Sequence, residues 1–220
     1  MNTVFRFCIV ILLYCFGAVC HADSLVLECS GSVDASIESK LISRLAEDVV
    51  QRKSVHELVV RTSAGTRTFV DKPPHDEPLS GLHYYFCDRN GGYILLRVED
   101  ETLASGRMID EATGKVIPGG ESVNFSPDGR AYLTWEQPDG LDGSLLKVYS
   151  KNGALSWSGF SFIPEANNRD RIYASLENPS WGVGGKLYAD ATCAGAQKKW
   201  RVTLTKTYST WDWSPQKKCR

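Results

Sequence analysis

From His56 onward, short runs of alternating apolar and polar residues are separated by turn-forming pairs. "HELVVRT" and "TRTFV" flank Ser63-Ala64-Gly65. "HYYFC" and "GYILLRV" flank Asp88-Arg89-Asn90-Gly91, "GRMID" and "GKVI" flank Glu111-Ala112-Thr113, and "SLLKVYS" and "ALSWSGF" flank Lys151-Asn152-Gly153. A period of two places successive side chains on opposite faces of a strand, and the glycine- or asparagine-bearing turns reverse the chain. Later, "RIYASL", "GKLYADA" and "KWRVTLTKTY" repeat the pattern. The stretch thus predicts an antiparallel meander.

The clearest turn lies in "SVNFSPDGRAYLTW", Ser122 to Trp135. Pro127 presets φ for the second turn position, Asp128 suits the third, and Gly129 accepts the positive φ of the exit. The four residues are expected to be a corner between two strands.

Ahead of the meander, "LVLEC" (25–29) reads as a first strand. Residues 36–53 differ: Ile37, Leu41, Ile42, Leu45, Val49 and Val50 recur at three, four and five residues, one apolar face of a helix. Asp34 or Ser36 is placed to cap it. The fold class expected is mainly β, an antiparallel meander arranged as a partial β-propeller or an irregular β-sandwich, with one amphipathic helix near the N-terminus.

Residues 1–22 carry one charge, Arg6, then "FCIVILLYCFGAV" and a small-residue boundary at Cys20-His21-Ala22. This is the pattern of a secretory signal peptide cut before Asp23. Residues 23–220 then form a single domain, long enough for a sizeable core. Loss of Arg6 leaves 24 basic against 26 acidic residues, a balance that argues against nucleic acid or anionic lipid as the main partner. No membrane insertion is expected after cleavage. The remaining cysteines, Cys29, Cys87, Cys193 and Cys219, are even in number, as a disulfide framework in an exported chain requires. Three pairings exist. Cys29–Cys87 with Cys193–Cys219 is favoured, because each bridge closes a loop within its own half. The chain is expected in the periplasm or secreted.

The chemistry-bearing residues are sparse. There is no G-x-S-x-G, H-E-x-x-H, Walker loop or C-x-x-C. His75, Asp76, His83 and Cys87 are ligand types for zinc, but Pro78 and Gly81 between the histidines rule out a helical pairing, and Cys87 is better used in a disulfide. Asp139 and Asp142 lack the spacing of a calcium loop. No metal and no cofactor are expected. Were the chain a hydrolase, the least favoured alternative, His75, Asp76, Glu77 and His83 would be its first candidates. The loop "EQPDGLDGS" exceeds what a turn needs and sets apolar Leu141 between two Asp-Gly pairs. Such a tip suits a partner's cleft. Gln137, Asp139, Gly140, Leu141, Asp142 and Ser144 are the candidate partner-binding residues. Of the tryptophans, Trp135, Trp157 and Trp200 are expected in the core. Trp211 and Trp213 are left as surface candidates for stacking on a glycan.

The segment "VNFSPDGRAYLTW…SLLKVYSKNGALSW" resembles one blade of a TolB- or YVTN-type β-propeller. In general layout the chain is also similar to periplasmic immunity proteins that block type VI secretion cell-wall amidases; the matching stretch is "SPDGRAYLTWEQPDGLDGS". That resemblance implies a protein partner, a cell-wall hydrolase, met through the Gly/Ser-bearing loop. The function expected is therefore an exported, non-catalytic inhibitor or immunity-type protein. A carbohydrate- or peptidoglycan-binding module is the alternative.

Overall fold

A computed structural model describes residues 24–29, 34–75, 80–100, 103–137, 143–165, 168–193, 195–217 and 219. The proposed signal segment lies outside them. Strand β1 (Val26–Glu28) precedes helix α1 (Ala35–Leu45). Strands β2 (Val50–Ser54), β3 (Glu57–Thr62) and β4 (Gly65–Val70) form sheet 1. Sheet 2 is β5 (Leu82–Asn90), β6 (Tyr93–Asp100), β7 (Leu103–Asp110) and β8 (Val116–Pro118). Sheet 3 is β9 (Ser122–Phe125), β10 (Ala131–Glu136), β11 (Leu145–Ser150) and β12 (Leu155–Phe160), with β1 added beside β9. Sheet 4 is β13 (Phe162–Glu165), β14 (Asn168–Trp181), β15 (Leu187–Cys193), β16 (Lys199–Thr207) and β17 (Thr210–Ser214). Every pairing is antiparallel between strands adjacent in the chain, except β1 with β9. The expected β-meander is what the chain forms.

The sheets stack face to face in chain order, and strand patterning sets that order. In β6, Tyr93 and Leu95 join a core against sheet 3, while Ile94 and Leu96 join one against sheet 1. Met108 and Ile109 divide in the same way. A strand apolar on both faces must be covered on both, so the unbroken run "YILL" marks an inner sheet. Sheets 3 and 4 share a third core: Leu133, Leu146 and Val148 meet Leu176, Ala189, Val202 and Trp213. Two disulfides pin this arrangement. Cys29–Cys87 ties β1 to a bulge in β5, and Cys193–Cys219 fastens the C-terminal segment. This is the favoured pairing. The bridges fit an oxidising, extracytoplasmic compartment. No helix among the described residues is long and apolar enough to cross a membrane.

The helix differs from its expected span. Asp34 caps it through Ile37 N–H, as read, but it ends at Leu45. Val49 and Val50 are not on its apolar face. β-branched side chains lose rotamer freedom in a helix and pack well in a strand, and Val50 is buried opposite Val60 in sheet 1. The best-buried side chain of the helix is a charge, Glu38, 3% exposed. Its carboxylate accepts two bonds from the Arg52 guanidinium (2.9 and 2.5 Å) and one from Phe86 N–H (2.7 Å). Arg52 also reaches the Tyr84 carbonyl, and Tyr84 N–H donates to Asp71. These side chains cap the outer edge of β5, which would otherwise bury unpaired backbone groups.

Candidate functional site

One face of sheet 3 leaves a gap. Toward sheet 2, β1, β9, β10 and β11 present Leu27, Val123, Phe125, Tyr132 and Tyr149, all buried in one core. Burial pushes the Tyr132 phenol well above its ordinary pKa, and its hydroxyl donates to the Pro118 carbonyl at 2.9 Å. Toward sheet 4 the alternate positions differ between strands. β10 and β11 offer apolar Leu133, Leu146 and Val148. β1 and β9 offer polar Glu28, Ser122 and Asn124 beside one apolar residue, Val26. Polar residues on an inward face cannot close against a neighbouring sheet without partners, so the core stops there. What remains is a cleft of about 480 Å³ between the sheets.

Trp135 stands in its wall, 47% exposed. Opposite, β14 breaks register between Glu177 and Ser180, with Asn178 at φ 52° and Pro179 beside it, and both line the cleft. Proline lacks the N–H that a ladder needs and belongs at such a bulge. Among the described residues, the lining includes the carboxylates Glu28 and Glu177 and no lysine or arginine. Glu177 holds Lys199 at 2.6 Å. Asn124 Oδ1, buried in the wall, has no hydrogen-bond partner among the described residues. The site is therefore acceptor-rich, with one large aromatic ring.

The loop singled out from sequence begins at the end of β10. Gln137 is exposed, directly after buried Glu136, which pairs with Lys147 at 2.6 Å. Ser144 lines the cleft itself; its N–H donates to Ser161 Oγ and its carbonyl accepts from Ser161 N–H. Asp139, Gly140, Leu141 and Asp142 lie outside the described residues. Sequence reading placed Trp135 in the core; the polar positions on β1 and β9 are what leave it uncovered. It also took Trp213 for a surface residue. Trp213 is 4% exposed, packed edge-on to Trp157, because Trp213 pairs with Leu204 on the inward face of sheet 4. Trp211 is exposed, with the Lys206 ammonium 6.0 Å from its ring centre.

A second cluster was only partly foreseen. His56, His75 and His83 converge beside buried Asp71. The His56 and His83 Nδ1 atoms stand 3.5 and 3.6 Å from Asp71 Oδ2, and the His56 and His75 rings stack 3.9 Å apart. Asp71 N–H donates to the His56 carbonyl where β3 and β4 end together. That pairing was the signal in the sequence: a histidine before one strand and an aspartate after its neighbour share an edge. Asp76 and Glu77 lie outside the described residues. Among the described residues no group of three or more His, Cys, Asp or Glu is arranged to hold a metal ion. Asp71 acts as a clasp on the β5 edge.

Compared with family models, curated proteins and solved structures, the chain matches none.

Proposed function

We propose that the protein is an exported binding protein of the inhibitor or immunity type, periplasmic or secreted, and that it takes up an extended segment of a partner enzyme in the Trp135 cleft. The observation that carries this reading is the half-exposed Trp135 over an acceptor-rich cleft, at the base of the Gln137–Ser144 connection. A tryptophan in a desolvating cleft is the usual energetic centre of a protein interface. Glu28, Ser122, Asn124 and Asn178 favour a segment that donates hydrogen bonds, one bearing lysine, arginine or side-chain amides. The glycan alternative is weaker, because Trp213 is buried and gives Trp211 no second ring.

Purified protein is titrated into peptidoglycan digestions by a panel of cell-wall amidases. At least one enzyme is expected to be inhibited, and Trp135→Ala is expected to weaken that inhibition by on the order of 30-fold or more. Inhibition of none, or equal inhibition by Trp135→Ala, overturns the reading. Binding of muropeptides, without inhibition, would favour the glycan alternative.

A further inference from the structure

At the end of the stack opposite the Gln137–Ser144 connection, turns from all four sheets touch in a row. Gly114 lies against Thr62, and its carbonyl accepts from Arg67. Lys115 Nζ donates to the Asn152 carbonyl at 2.8 Å, Lys151 N–H donates to the Arg130 carbonyl at 2.8 Å, and Gly185 lies against Asp128. The pairing of Tyr188 with Thr203 carries the β16–β17 tip, Tyr208, to the same end.

This end differs in charge from the chain as a whole, whose formal net charge is −1. Lys115, Arg130 and Lys151 border one notch of about 470 Å³, where Asp110 is the sole acid. Lys186 and Lys206 extend the row. The acids nearby are engaged: Asp110 accepts from Ala112 and Thr113 N–H, Glu111 holds Arg89, and Asp128 holds Arg130. Arg130, although paired, remains 81% exposed along its side chain.

Beside these cations sit apolar and aromatic side chains that nothing in the fold covers. Val183 is 96% exposed in a turn of glycines, and Tyr208 is 99% exposed. Tyr208 holds φ at 57°, a left-handed backbone that non-glycine residues avoid. Leu155 and Trp211 are exposed at the same end. Two hairpin tips thus offer large apolar groups to solvent, flanked by Lys186 and Lys206.

We propose that this turn end docks on the surface of a bilayer containing anionic phospholipid, without spanning it. Tyrosine and tryptophan sit at the headgroup boundary, where an apolar ring and a polar edge are both satisfied. Val183 and Leu155 sink just below it. The five cations meet lipid phosphates within a Debye length of the surface. The charge row fits a lipid surface rather than a protein partner, since it runs across three sheets with its apolar groups at projecting tips instead of in a concave patch. The docked protein presents its Trp135 cleft away from the membrane.

Co-sedimentation of the full, disulfide-bonded chain with vesicles tests this. Binding is expected to phosphatidylcholine vesicles containing phosphatidylglycerol and not to phosphatidylcholine alone, and is expected to fall as salt rises. The double variants Lys115→Glu/Lys151→Glu and Val183→Ser/Tyr208→Ser are each expected to lower affinity on the order of tenfold or more, with unchanged circular dichroism and thermal melting. No binding to anionic vesicles, or binding that both double variants leave intact, overturns the proposal. Binding lost on charge reversal but kept by Val183→Ser/Tyr208→Ser overturns insertion of the tips.

Discussion

Sheet 3 shows two faces made by the same strands. Toward sheet 2, β1, β9, β10 and β11 join Leu27, Val123, Phe125, Tyr132 and Tyr149 in one core, and the polar positions on that face, Thr134, Glu136 and Lys147, lie toward one end, where Glu136 pairs with Lys147. Toward sheet 4, β10 and β11 offer apolar Leu133, Leu146 and Val148, whereas β1 and β9 carry polar Glu28, Ser122 and Asn124 beside Val26, and a cleft remains. Neighbours in sequence belong to opposite regimes: Phe125 is core and Asn124 is cleft wall. A period of two lets one strand serve stability with one set of residues and a site with the other.

Substitutions at these neighbours should pull the two faces apart. Phe125→Ala empties a position packed between Tyr93 and Tyr132 and is expected to cost about 3–5 kcal/mol in denaturant unfolding. Gly129→Val addresses the corner that joins both faces. Gly129 holds φ at 64°, and a Cβ there would meet nothing within 4 Å, so the expected loss of about 1–3 kcal/mol is backbone strain alone. An unchanged melting temperature would refute that account. Tyr132→Phe removes the bond to Pro118 and is expected to cost roughly 1 kcal/mol. Asn124→Ala and Trp135→Ala are expected to stay within about 0.5 kcal/mol of wild type; a loss as large as that of Phe125→Ala would erase the distinction between the faces.

The smallest effect concerns pH. The Ser126 hydroxyl, then the Arg130 N–H groups, hold Asp128 at about 2, below its ordinary value. A carboxyl more acidic in the folded chain stabilises the fold above its unfolded pKa of about 3.9 and loses that contribution as pH falls toward 2. The difference in melting temperature between wild type and Asp128→Asn should therefore shrink across that acidic range and be constant above it.

The turns and strands were legible because their chemistry is local. Ser126-Pro127-Asp128-Gly129 closes as read, with Gly129 N–H donating to the Ser126 carbonyl at 2.8 Å. The helix end was not legible, because Val49 and Val50 continue a helical spacing, and Val50 leaves it only when Val60 gives it a strand partner. Trp135 illustrates the same limit. Its alternation with polar neighbours gave its strand correctly, but whether its face is covered depends on β1, which lies far away in sequence. The approach of His83 to Asp71 needed β5 to lie against the end of sheet 1, which no local pattern carries.

Strand β1 has a consequence for the order of assembly. Sheets 1 and 2 and strands β9–β12 are meanders of neighbours, each able to form as soon as its own residues are present. β1 is made first by the ribosome and takes its place beside β9, after two complete sheets have intervened. Until then Leu27 has no core to enter, and its strand edge is open to wrong partners. The bond between Cys29 and Cys87, 58 residues apart, joins that early strand to sheet 2. Because Cys87 lies in β5, ahead of β9, trapping free thiols over time would show whether the bond closes before or after β9 is in place.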